Sequence, residues 1–333
     1  MFIVDAHLDL AYNALRGREV LRAATEQRGE PDDIPTVGLP DLRQGHVGLI
    51  CATVFVEPGL DGKPGYRSAD EAHAEARRQL AWYAEQEKNG EMMLIRRREE
   101  LPSPQAPAGR ALPAILLLEG ADALRNEKDV QQFFDAGMRI VGLAWKATRH
   151  AGGTGAPGPL TAEGVKMVRA LDRVGVIHDA SHLAEQSFWQ LLDLTGGPMM
   201  ASHSNCRAIV PGDRQISDEM IRAISSRGGV IGINFFDKFL LAPTEYGKRQ
   251  ATLEDVVRHT RHICELVGDA EHVAIGTDMD GGLGRDQIPQ EITTSADLPR
   301  LADALHAADF NDNDVAGIMG RNWLRFFSQH LAS

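Results

Sequence analysis

Histidine and acidic residues stand at the ends of separate apolar runs of this sequence. Six of them come from five runs: His7, Asp9, Glu119, His182, His203 and Asp278. Imidazole nitrogens and carboxylate oxygens are common ligands of zinc, manganese and similar divalent ions, and one carboxylate can bridge two such ions. The residue types therefore predict a centre that binds divalent metal ions.

The first run, IVDAHLDL, contributes two of the six. In a strand, side chains two residues apart project the same way, so His7 and Asp9 can hold one metal ion between them. Asp5 shares their face one pleat deeper, while Val4 and Leu8 are expected on the opposite, apolar face with Ala6. For Asp5 we expect either a supporting hydrogen bond near a metal ligand or a structural salt bridge.

Each candidate also has an ordinary structural explanation when taken singly. A buried histidine is usually a hydrogen-bonded core residue, Glu119 could cap a helix, and Asp278 could belong to a turn. The coincidence of six such groups at equivalent ends of separate runs favours a common site.

Serine–histidine catalysis is a second possible chemistry. Ser181 precedes His182, and Ser202 precedes His203. Neighbours on a strand face opposite ways, and the sequence contains no G-x-S-x-G nucleophile motif, so we reject this alternative.

Four further polar residues are interpreted as lying outside the metal centre. His259 and His262 lie three apart on a predicted helix and are expected to be packing or surface residues. Asp280 is a weaker candidate for substrate contact or loop structure, and His178 lies within the fifth apolar run.

Eight apolar runs alternate with helical patterns from one end of the chain to the other. The runs occupy residues 2–7, 48–56, 113–120, 138–145, 174–181, 198–204, 228–235 and 272–278. This alternation predicts an α/β fold, a (β/α)8 TIM barrel forming one domain over residues 1–333 with a C-terminal helix. A doubly wound open sheet is the alternative, but no G-x-G-x-x-G follows the first run. In a barrel, the carboxyl ends of the strands meet at one mouth, where the six candidate ligands would converge.

Helix starts and loops are also visible in the sequence. Helical segments begin at Ser68, Thr161, Ser217 and Thr252, each followed closely by an acidic residue, as is typical of N-caps. Three stretches rich in Gly and Pro, at 57–66, 101–111 and 149–160, predict long loops, and the third leaves the fourth run toward the mouth.

Charge and composition exclude some classes of protein. The chain has 333 residues with 35 basic and 47 acidic side chains, a net charge of -12, which argues against nucleic acid as a partner. Its three cysteines are widely spaced and predict neither a disulfide framework nor a thiolate zinc site. With no secretory leader and no apolar run long enough to span a bilayer, we expect a cytoplasmic protein.

Several segments together resemble the membrane dipeptidase (renal dipeptidase) family, the M19 metallopeptidases, within the amidohydrolase-like barrels. The similar segments are VDAHLDL, LLLEGADAL, LDRVGVIHDASHL, ASHSNCRAIVPGDRQISDE, HVAIGTDMDG and GRNWLRFF, and they extend over nearly the whole chain.

The resemblance implies roles for individual residues. His7, Asp9 and Glu119 would bind one zinc ion, and Glu119, His182 and His203 the second. Arg214, eleven residues after His203, would bind the carboxylate of a dipeptide, although by itself it would be interpreted as a solvated loop charge. Asp278 would transfer the proton of the attacking water and contact the substrate amine.

Two positions depart from the family pattern. Trp145 occupies the end of the fourth run, where relatives carry a histidine that contacts the scissile group, and His150 in the following loop is a possible substitute. Leu8 stands where asparagine is common. We therefore include Trp145 and His150 among the expected substrate-binding residues.

The expected function is hydrolysis of L-Xaa-L-Xaa or L-Xaa-D-Xaa dipeptides by a hydroxide that bridges two divalent metal ions, with zinc as the expected metal and a homodimer as the assembly implied by the family. One alternative is another amidohydrolase reaction at the same centre, namely hydrolysis of a lactone or a cyclic amide, or deamination of a ring. The other is a non-catalytic metal-binding protein.

Overall fold

The sheet consists of nine parallel β-strands within residues 1–30, 33–59, 64–105 and 109–333, which are the residues that the computed structural model describes. The strands are β1 (Ile3–Leu8), β2 (Val47–Phe55), β3 (Met92–Leu94), β4 (Leu112–Glu119), β5 (Met138–Gly142), β6 (Ile177–Asp179), β7 (Met199–Met200), β8 (Ile231–Ile233) and β9 (Val273–Ile275). Eight of them pair in the order β7-β6-β5-β4-β2-β1-β9-β8. A parallel bridge between Ala201 and Ile231 joins the two ends of this series. The predicted TIM barrel is confirmed, and the open-sheet alternative is wrong.

The ninth strand was not predicted. β3 pairs with Leu112–Ala114 at the start of β4 and is not part of the ring of eight. Its three residues are too few to show a periodic pattern, which explains why the sequence did not reveal it.

Twelve α-helices lie within the described ranges. They are α1 (Leu10–Leu15), α2 (Leu39–Gln44), α3 (Ala69–Lys88), α4 (Glu127–Asp135), α5 (Ala162–Val174), α6 (Glu185–Leu194), α7 (Asp218–Ser226), α8 (Asp237–Leu240), α9 (Leu253–Val267), α10 (Arg300–Ala307), α11 (Asp312–Ala316) and α12 (Asn322–His330). No helix in these ranges is both long and apolar enough to cross a membrane.

The predicted helix starts are confirmed. The hydroxyls of Ser68, Thr161 and Ser217 each accept a hydrogen bond from the N–H three residues on, which satisfies a donor that the first turn would leave free. At Thr252, the carboxylate of Asp255 accepts from the backbone N–H. The loop at 149–160 is confirmed, whereas residues 60–63 and 106–108 of the other two predicted loops lie outside the described residues.

The hydrophobic core has two layers. One cluster takes side chains from within or beside every strand of the ring, together with Trp323, Phe326 and Phe327 of α12, so it fills the barrel interior. The indole N–H of Trp323 donates to the carbonyl oxygen of Ile275 at 2.9 Å. The larger cluster packs the outer faces of the strands against the surrounding helices. Helix α12 thereby supports the barrel interior beneath the mouth.

Strand β1 departs from simple alternation. Its pairing with β2 shifts between Ile3 and Val4 and again between Asp5 and Leu8. Val4 consequently packs in the interior cluster while Leu8 packs in the outer one, so the prediction that both share one face is wrong. A shift of register redirects the side chains that follow it.

Asp237 in the first turn of α8 provides a test of fold energetics. The residue is 6% exposed, and burial raises its pKa to about 7 from 3.8. The carboxyl group of Asp237 therefore ionises at a lower pH in the unfolded chain than in the folded protein. As a result, the free energy of unfolding falls as pH rises from about 4 to about 7. We expect Asp237→Asn to match the wild type near pH 4 and to be more stable at pH 8, as measured by urea unfolding.

Asp255 serves as the control with the opposite sign. Although burial favours its neutral form, hydrogen bonds from Arg249 lower its pKa. Its contribution to stability is therefore lost as pH falls, and Asp255→Asn should lose stability at pH 8. An Asp237→Asn effect of equal size at both pH values would contradict the role assigned to burial.

Candidate active site

The barrel brings all six predicted ligand residues to the carboxyl ends of its strands. His7 lies in β1 with Asp9 just beyond it, and Glu119 is the last residue of β4. The other three each follow their strand by three residues: His182 after β6, His203 after β7 and Asp278 after β9. All six are buried except His182, which is partly exposed. The predicted convergence at one mouth is confirmed.

Glu119 is the geometric centre of this group. Its Oε2 atom lies 3.6 Å from Nε2 of His7, and its Oε1 atom lies 3.2 Å from Nε2 of His182 and 3.4 Å from Nε2 of His203. Although burial opposes ionisation, the nearby imidazoles, first that of His7, hold the pKa of Glu119 well below its usual range. The carboxylate thus presents one oxygen to each side of the site, as a bridging ligand does.

The two histidines beside Oε1 point their ring nitrogens at one another. Nε2 of His182 and Nε2 of His203 are 3.1 Å apart. Burial lowers the pKa of His182 to about 4 and also lowers that of His203. Burial thus favours the neutral form of both rings, and their other nitrogens contact hydroxyls: Nδ1 of His182 lies 2.9 Å from Oγ1 of Thr154, and Nδ1 of His203 lies 2.7 Å from Oγ of Ser202. Neutral imidazoles that converge in this way are suited to share a cation.

The side of the site around His7 contains two buried polar atoms without hydrogen-bond partners among the described residues. Nε2 of His7 is 3.8 Å from Asp9 Oδ2 and 3.9 Å from Asp278 Oδ1. Among the described residues, neither this nitrogen nor Oδ1 of Asp9 has a hydrogen-bond partner, although both are buried. Although burial favours the neutral ring, the carboxylates, first that of Glu119, raise the pKa of His7 to about 10. The carboxylates that attract a proton here would equally attract a metal ion.

Two overlapping groups have the spacing of a metal site. His7, Glu119 and His203 form one, and His7, Asp9 and Asp278 form the other, each with ligand atoms within 4.8 Å of one another. The first group combines His7 and His203, which the resemblance assigns to different ions, and the second includes Asp278, which the resemblance does not make a ligand. The two oxygens of Glu119 nevertheless separate the histidines into two sides, with His7 at Oε2 and with His182 and His203 at Oε1.

Asp278 is held in an unusual backbone conformation. Its φ is 60° and that of His182 is 64°, in the left-handed region that L-residues seldom adopt. The side-chain amide of Asn234 donates to Asp278 Oδ2 at 2.9 Å. Burial raises the pKa of Asp278 to about 6. Backbone in this region at two positions of one cavity is typical of functional sites.

A cavity of about 320 Å³ opens above these residues. Tyr12, Phe55 and Trp145 form one wall, with successive ring centroids 5.2 Å apart. Phe236 and Phe239 also line the cavity. A volume of this size is near the lower end of small-molecule sites and is mostly apolar around a charged floor.

Arg214 lines the same cavity and is only 6% exposed. Its guanidinium donates to the carbonyl oxygen of His203 at 2.6 Å and to Oγ of Ser204 at 3.3 Å. Its buried Nε has no partner among the described residues. The interpretation of Arg214 as a solvated loop charge is therefore wrong, and a cation is available in the cavity for an anionic group.

The two substrate-binding candidates of the fourth run are placed differently. Trp145 is part of the cavity wall, 6.2 Å from the ring of His182 between centroids. His150 is 1% exposed, and its Nε2 lies 3.3 Å from the carbonyl oxygen of Leu124. It is not among the described residues that line the cavity. The loop turns its ring inward, so the structure does not bring His150 to the site.

The remaining polar residues of the sequence analysis have structural partners. Asp5 accepts hydrogen bonds from N and Oγ1 of Thr277, at 2.9 and 2.6 Å, so the salt-bridge alternative is wrong. Asp280 accepts from the backbone of Thr36 and Val37 and is therefore part of loop structure.

His178 and the two helical histidines also contact groups outside the cavity. His178 contacts Asp172 at 2.7 Å. His259 contacts the carbonyl oxygen of Leu240, and His262 contacts Asp218. The expectation that these three histidines lie outside the site is confirmed.

Serine catalysis is incompatible with the burial of Ser202. This residue is 0% exposed, and its hydroxyl contacts Asp179 at 2.5 Å. A hydroxyl enclosed in this way cannot reach a substrate in the cavity.

Sequence reasoning missed Asn234 and Thr154. Asn234 directly follows β8, so the rule that polar residues at strand ends mark the site would have found it. Thr154 lies in a loop whose path the sequence could not predict.

Several known proteins are similar to this chain in sequence. The family model for membrane dipeptidase (peptidase family M19) matches residues 1–332. The chain is 27% identical over 304 residues to an uncharacterized dipeptidase of Schizosaccharomyces pombe, covering 85% of this chain and 70% of that protein. It is 35% identical over 228 residues to an uncharacterized protein of the pqqA 5′ region of Klebsiella pneumoniae, covering 65% of this chain and 81% of that protein.

Solved structures share the fold over the full length. A dipeptidase AC, a metallopeptidase of family M19, has a TM-score of 0.85 at 25% identity, covering 100% of this chain and 99% of its own. A metallopeptidase from Rhodobacter sphaeroides, liganded with a phosphinate mimic of the dipeptide L-Ala-D-Ala, has a TM-score of 0.85 at 24% identity, covering 99% of each chain.

Proposed function

The chain belongs to the membrane dipeptidase family, peptidase family M19, and from this premise we propose that it hydrolyses dipeptides. The reaction would use two divalent metal ions, for which we propose zinc. The observation that carries the proposal is the position of Glu119, whose Oε2 atom faces His7 while its Oε1 atom faces His182 and His203. Family membership also underlies our proposal of a homodimer, which light scattering would test.

His7, Asp9 and Glu119 would hold one ion, and Glu119, His182 and His203 the other. The unpartnered buried atoms of His7 and Asp9 and the converging rings of His182 and His203 support this assignment. The ions would supply Lewis acidity, polarising the scissile carbonyl and acidifying the attacking water.

Asp278 would act as the general base and then as the general acid. Its carboxylate lines the cavity above the ligands, and Asn234 fixes its orientation. A carboxylate so placed can take a proton from the attacking water and deliver it to the leaving amine. The same negative charge would attract the ammonium group of a dipeptide.

Arg214 would bind the carboxylate of the dipeptide. We expect Arg214→Lys to lower kcat/KM by about 10- to 100-fold, chiefly through KM, because an ammonium cannot form the two parallel bonds of a guanidinium. The control is Arg207→Lys, seven residues earlier, where the arginine pairs with Glu185. The corresponding dipeptide amides lack the carboxylate and should be poor substrates of both proteins. An equal loss with dipeptides and their amides would contradict this role.

Trp145 would contact a substrate side chain. We expect Trp145→Ala to lower kcat/KM by about 10-fold or more for dipeptides with a large apolar side chain, because an apolar wall is lost. Gly-containing dipeptides should be affected much less. Initial rates over a dipeptide series measure this difference, and a uniform loss across the series would argue against a specificity role.

The function itself is tested by a panel of L-Xaa-L-Xaa and L-Xaa-D-Xaa dipeptides incubated with zinc-loaded protein, with release of free amino acids as the measurement. The Rhodobacter neighbour was liganded with an L-Ala-D-Ala mimic, so this dipeptide belongs in the panel. Turnover that disappears on chelation and returns with zinc is expected. Absence of turnover in protein with two bound ions would overturn the proposal and direct attention to lactones and cyclic amides.

A further inference from the structure

A buried group of hydroxyls and one carboxylate lies directly behind the proposed ligands. Asp179, Ser181 and Ser202 are between 0% and 3% exposed. Asp179 ends β6, and Ser202 follows β7. Neither has a role in the proposed hydrolysis so far, although both contact the histidine segments of the site.

The hydrogen bonds of Asp179 are fully determined by its surroundings. Its Oδ1 atom accepts from the backbone N–H groups of Ser181 and Ser202, at 3.0 and 2.8 Å. Its Oδ2 atom lies 2.5 Å from Oγ of Ser202. Because Oδ1 already accepts from two N–H groups and Oδ2 is the nearest acceptor to the Ser202 hydroxyl, the single proton of that hydroxyl points to Oδ2 of Asp179. The other possible acceptors are Nδ1 of His203 at 2.7 Å and Oγ of Ser181 at 3.3 Å, and the carboxylate oxygen is both nearer and a stronger acceptor than either.

The hydroxyl oxygen of Ser202 is then left as an acceptor for two imidazoles. Nδ1 of His203 is 2.7 Å from it, and Nδ1 of His7 is 3.3 Å from it. Both rings must therefore donate from Nδ1. Their Nε2 atoms are directed toward Glu119, at 3.4 and 3.6 Å. One oxygen atom thus orients two rings that lie 3.7 Å apart between centroids.

We propose that Asp179 and Ser202 form a positioning pair, in which the carboxylate fixes the direction of one hydroxyl and that hydroxyl presents Nε2 of both His7 and His203 to the metal centre. The inference rests on the proposed two-ion function, because His7 and His203 would belong to different ions. The pair would therefore support both ions at once.

Thr154 provides a contrast within the same site. Its hydroxyl lies 2.9 Å from Nδ1 of His182 and contacts no other ring nitrogen among the described residues. Loss of the Thr154 hydroxyl should affect one ion, whereas loss of the Ser202 hydroxyl should affect both.

The test uses five variants of the full chain, of which Thr154→Val serves the second readout only. Ser202→Ala removes the shared acceptor, and Ser202→Thr retains it. Asp179→Asn keeps the oxygen that accepts the two backbone N–H groups, but its amide must donate toward Ser202, which turns the hydroxyl proton toward an imidazole. Ser181→Ala is the matched control, because it removes a buried hydroxyl that accepts from the backbone N–H of His203 and contacts no ring nitrogen of the residues that the structure describes.

The first readout is zinc affinity, measured by competition with a chromophoric chelator. Removal of such supporting partners typically weakens metal binding by about 10- to 100-fold, and we expect a loss of this size for Ser202→Ala and for Asp179→Asn. Ser202→Thr should bind zinc nearly as tightly as the wild type, and Ser181→Ala should do the same even if it unfolds more easily. Wild-type affinity in both Ser202→Ala and Asp179→Asn, or an equal loss in Ser181→Ala, would overturn the proposal.

The second readout is cadmium NMR of protein loaded with cadmium, which reports on the ligands of each ion separately. We expect Ser202→Ala to shift both resonances and Thr154→Val to shift one. A shift of only one resonance in Ser202→Ala would contradict the shared role.

Ser202→Ala and Asp179→Asn disturb different properties of the pair, so if one variant folds poorly, the other still tests the proposal. Ser202→Ala changes no charge, and Asp179→Asn changes no volume. Neither readout involves a dipeptide. Two bound ions without dipeptide turnover would therefore overturn the proposed function and leave this inference standing. Unchanged ion binding in Ser202→Ala and Asp179→Asn would overturn this inference and leave the proposed function standing.

Discussion

Asp278→Asn is expected to lower kcat/KM for dipeptides by about 10²- to 10⁴-fold, the usual contribution of a general acid–base residue. An amide can neither take a proton from water nor pass one to the leaving amine. The backbone should be retained, because asparagine tolerates the left-handed conformation at φ 60°. Stopped assays that quantify the released amino acids measure the loss.

The metal content of this variant decides how the loss is interpreted. Asp278 also lies 3.9 Å from Nε2 of His7, within the spacing of a ligand group. If Asp278→Asn retains two ions and loses turnover, its role is proton transfer; if it also loses an ion, it is a ligand. Asp280→Asn is the matched control, since this carboxylate contacts the backbone of Thr36 and Val37. An equal loss of activity in both variants would contradict a special role for Asp278.

Glu119→Gln is expected to abolish both stable metal binding and turnover. The wild-type carboxylate offers an acceptor to each side, whereas glutamine offers one oxygen and turns an N–H toward the other. We expect metal analysis to find fewer than two ions per chain and activity to fall to the level of chelated enzyme. The loss should exceed the roughly 10- to 100-fold effect of disturbing a supporting residue, because a ligand of both ions is removed.

Thermal unfolding gives an independent measure of the Glu119 effect. Ligand at 1,000 times its dissociation constant stabilises a protein by about 4 kcal/mol, so zinc should raise the Tm of the wild type and leave Glu119→Gln nearly unchanged. Glu57→Gln is the control, because Glu57 lines the same cavity but contacts Tyr12 and Arg16. Zinc-dependent stabilisation of Glu119→Gln equal to that of the wild type would show that Glu119 is not a shared ligand.

Much of the site could be predicted because the carboxyl ends of all barrel strands lie at the same mouth. His7, Glu119 and Asp278 are far apart in sequence, yet each ends or follows an apolar run, and parallel strands bring such ends to one mouth. The same rule would have identified Asn234. Helix starts were equally accessible, since an N-cap is satisfied by residues within one turn, as at Ser68 and Thr161.

The sequence did not reveal contacts that depend on register or on loop paths. Alternation placed Val4 and Leu8 on one face, but two shifts in the pairing of β1 separate them. His150 had the right residue type for the site, yet the loop directs its ring to the carbonyl oxygen of Leu124. Arg214 had no distinguishing pattern, and its burial in the cavity follows from how the segment after β7 folds over the mouth.

By itself, then, the sequence determined the barrel, the six residues at its mouth and the metal chemistry that their side chains permit, because apolar periodicity and ligand type are local properties of the chain. The tertiary structure alone decided which oxygen of Glu119 faces which histidine, that Asp5 bonds to Thr277, and that Ser202 contacts two imidazoles. These are distances of a few ångströms between strands that are distant in sequence. They are fixed by register and side-chain packing, which no short stretch of sequence encodes.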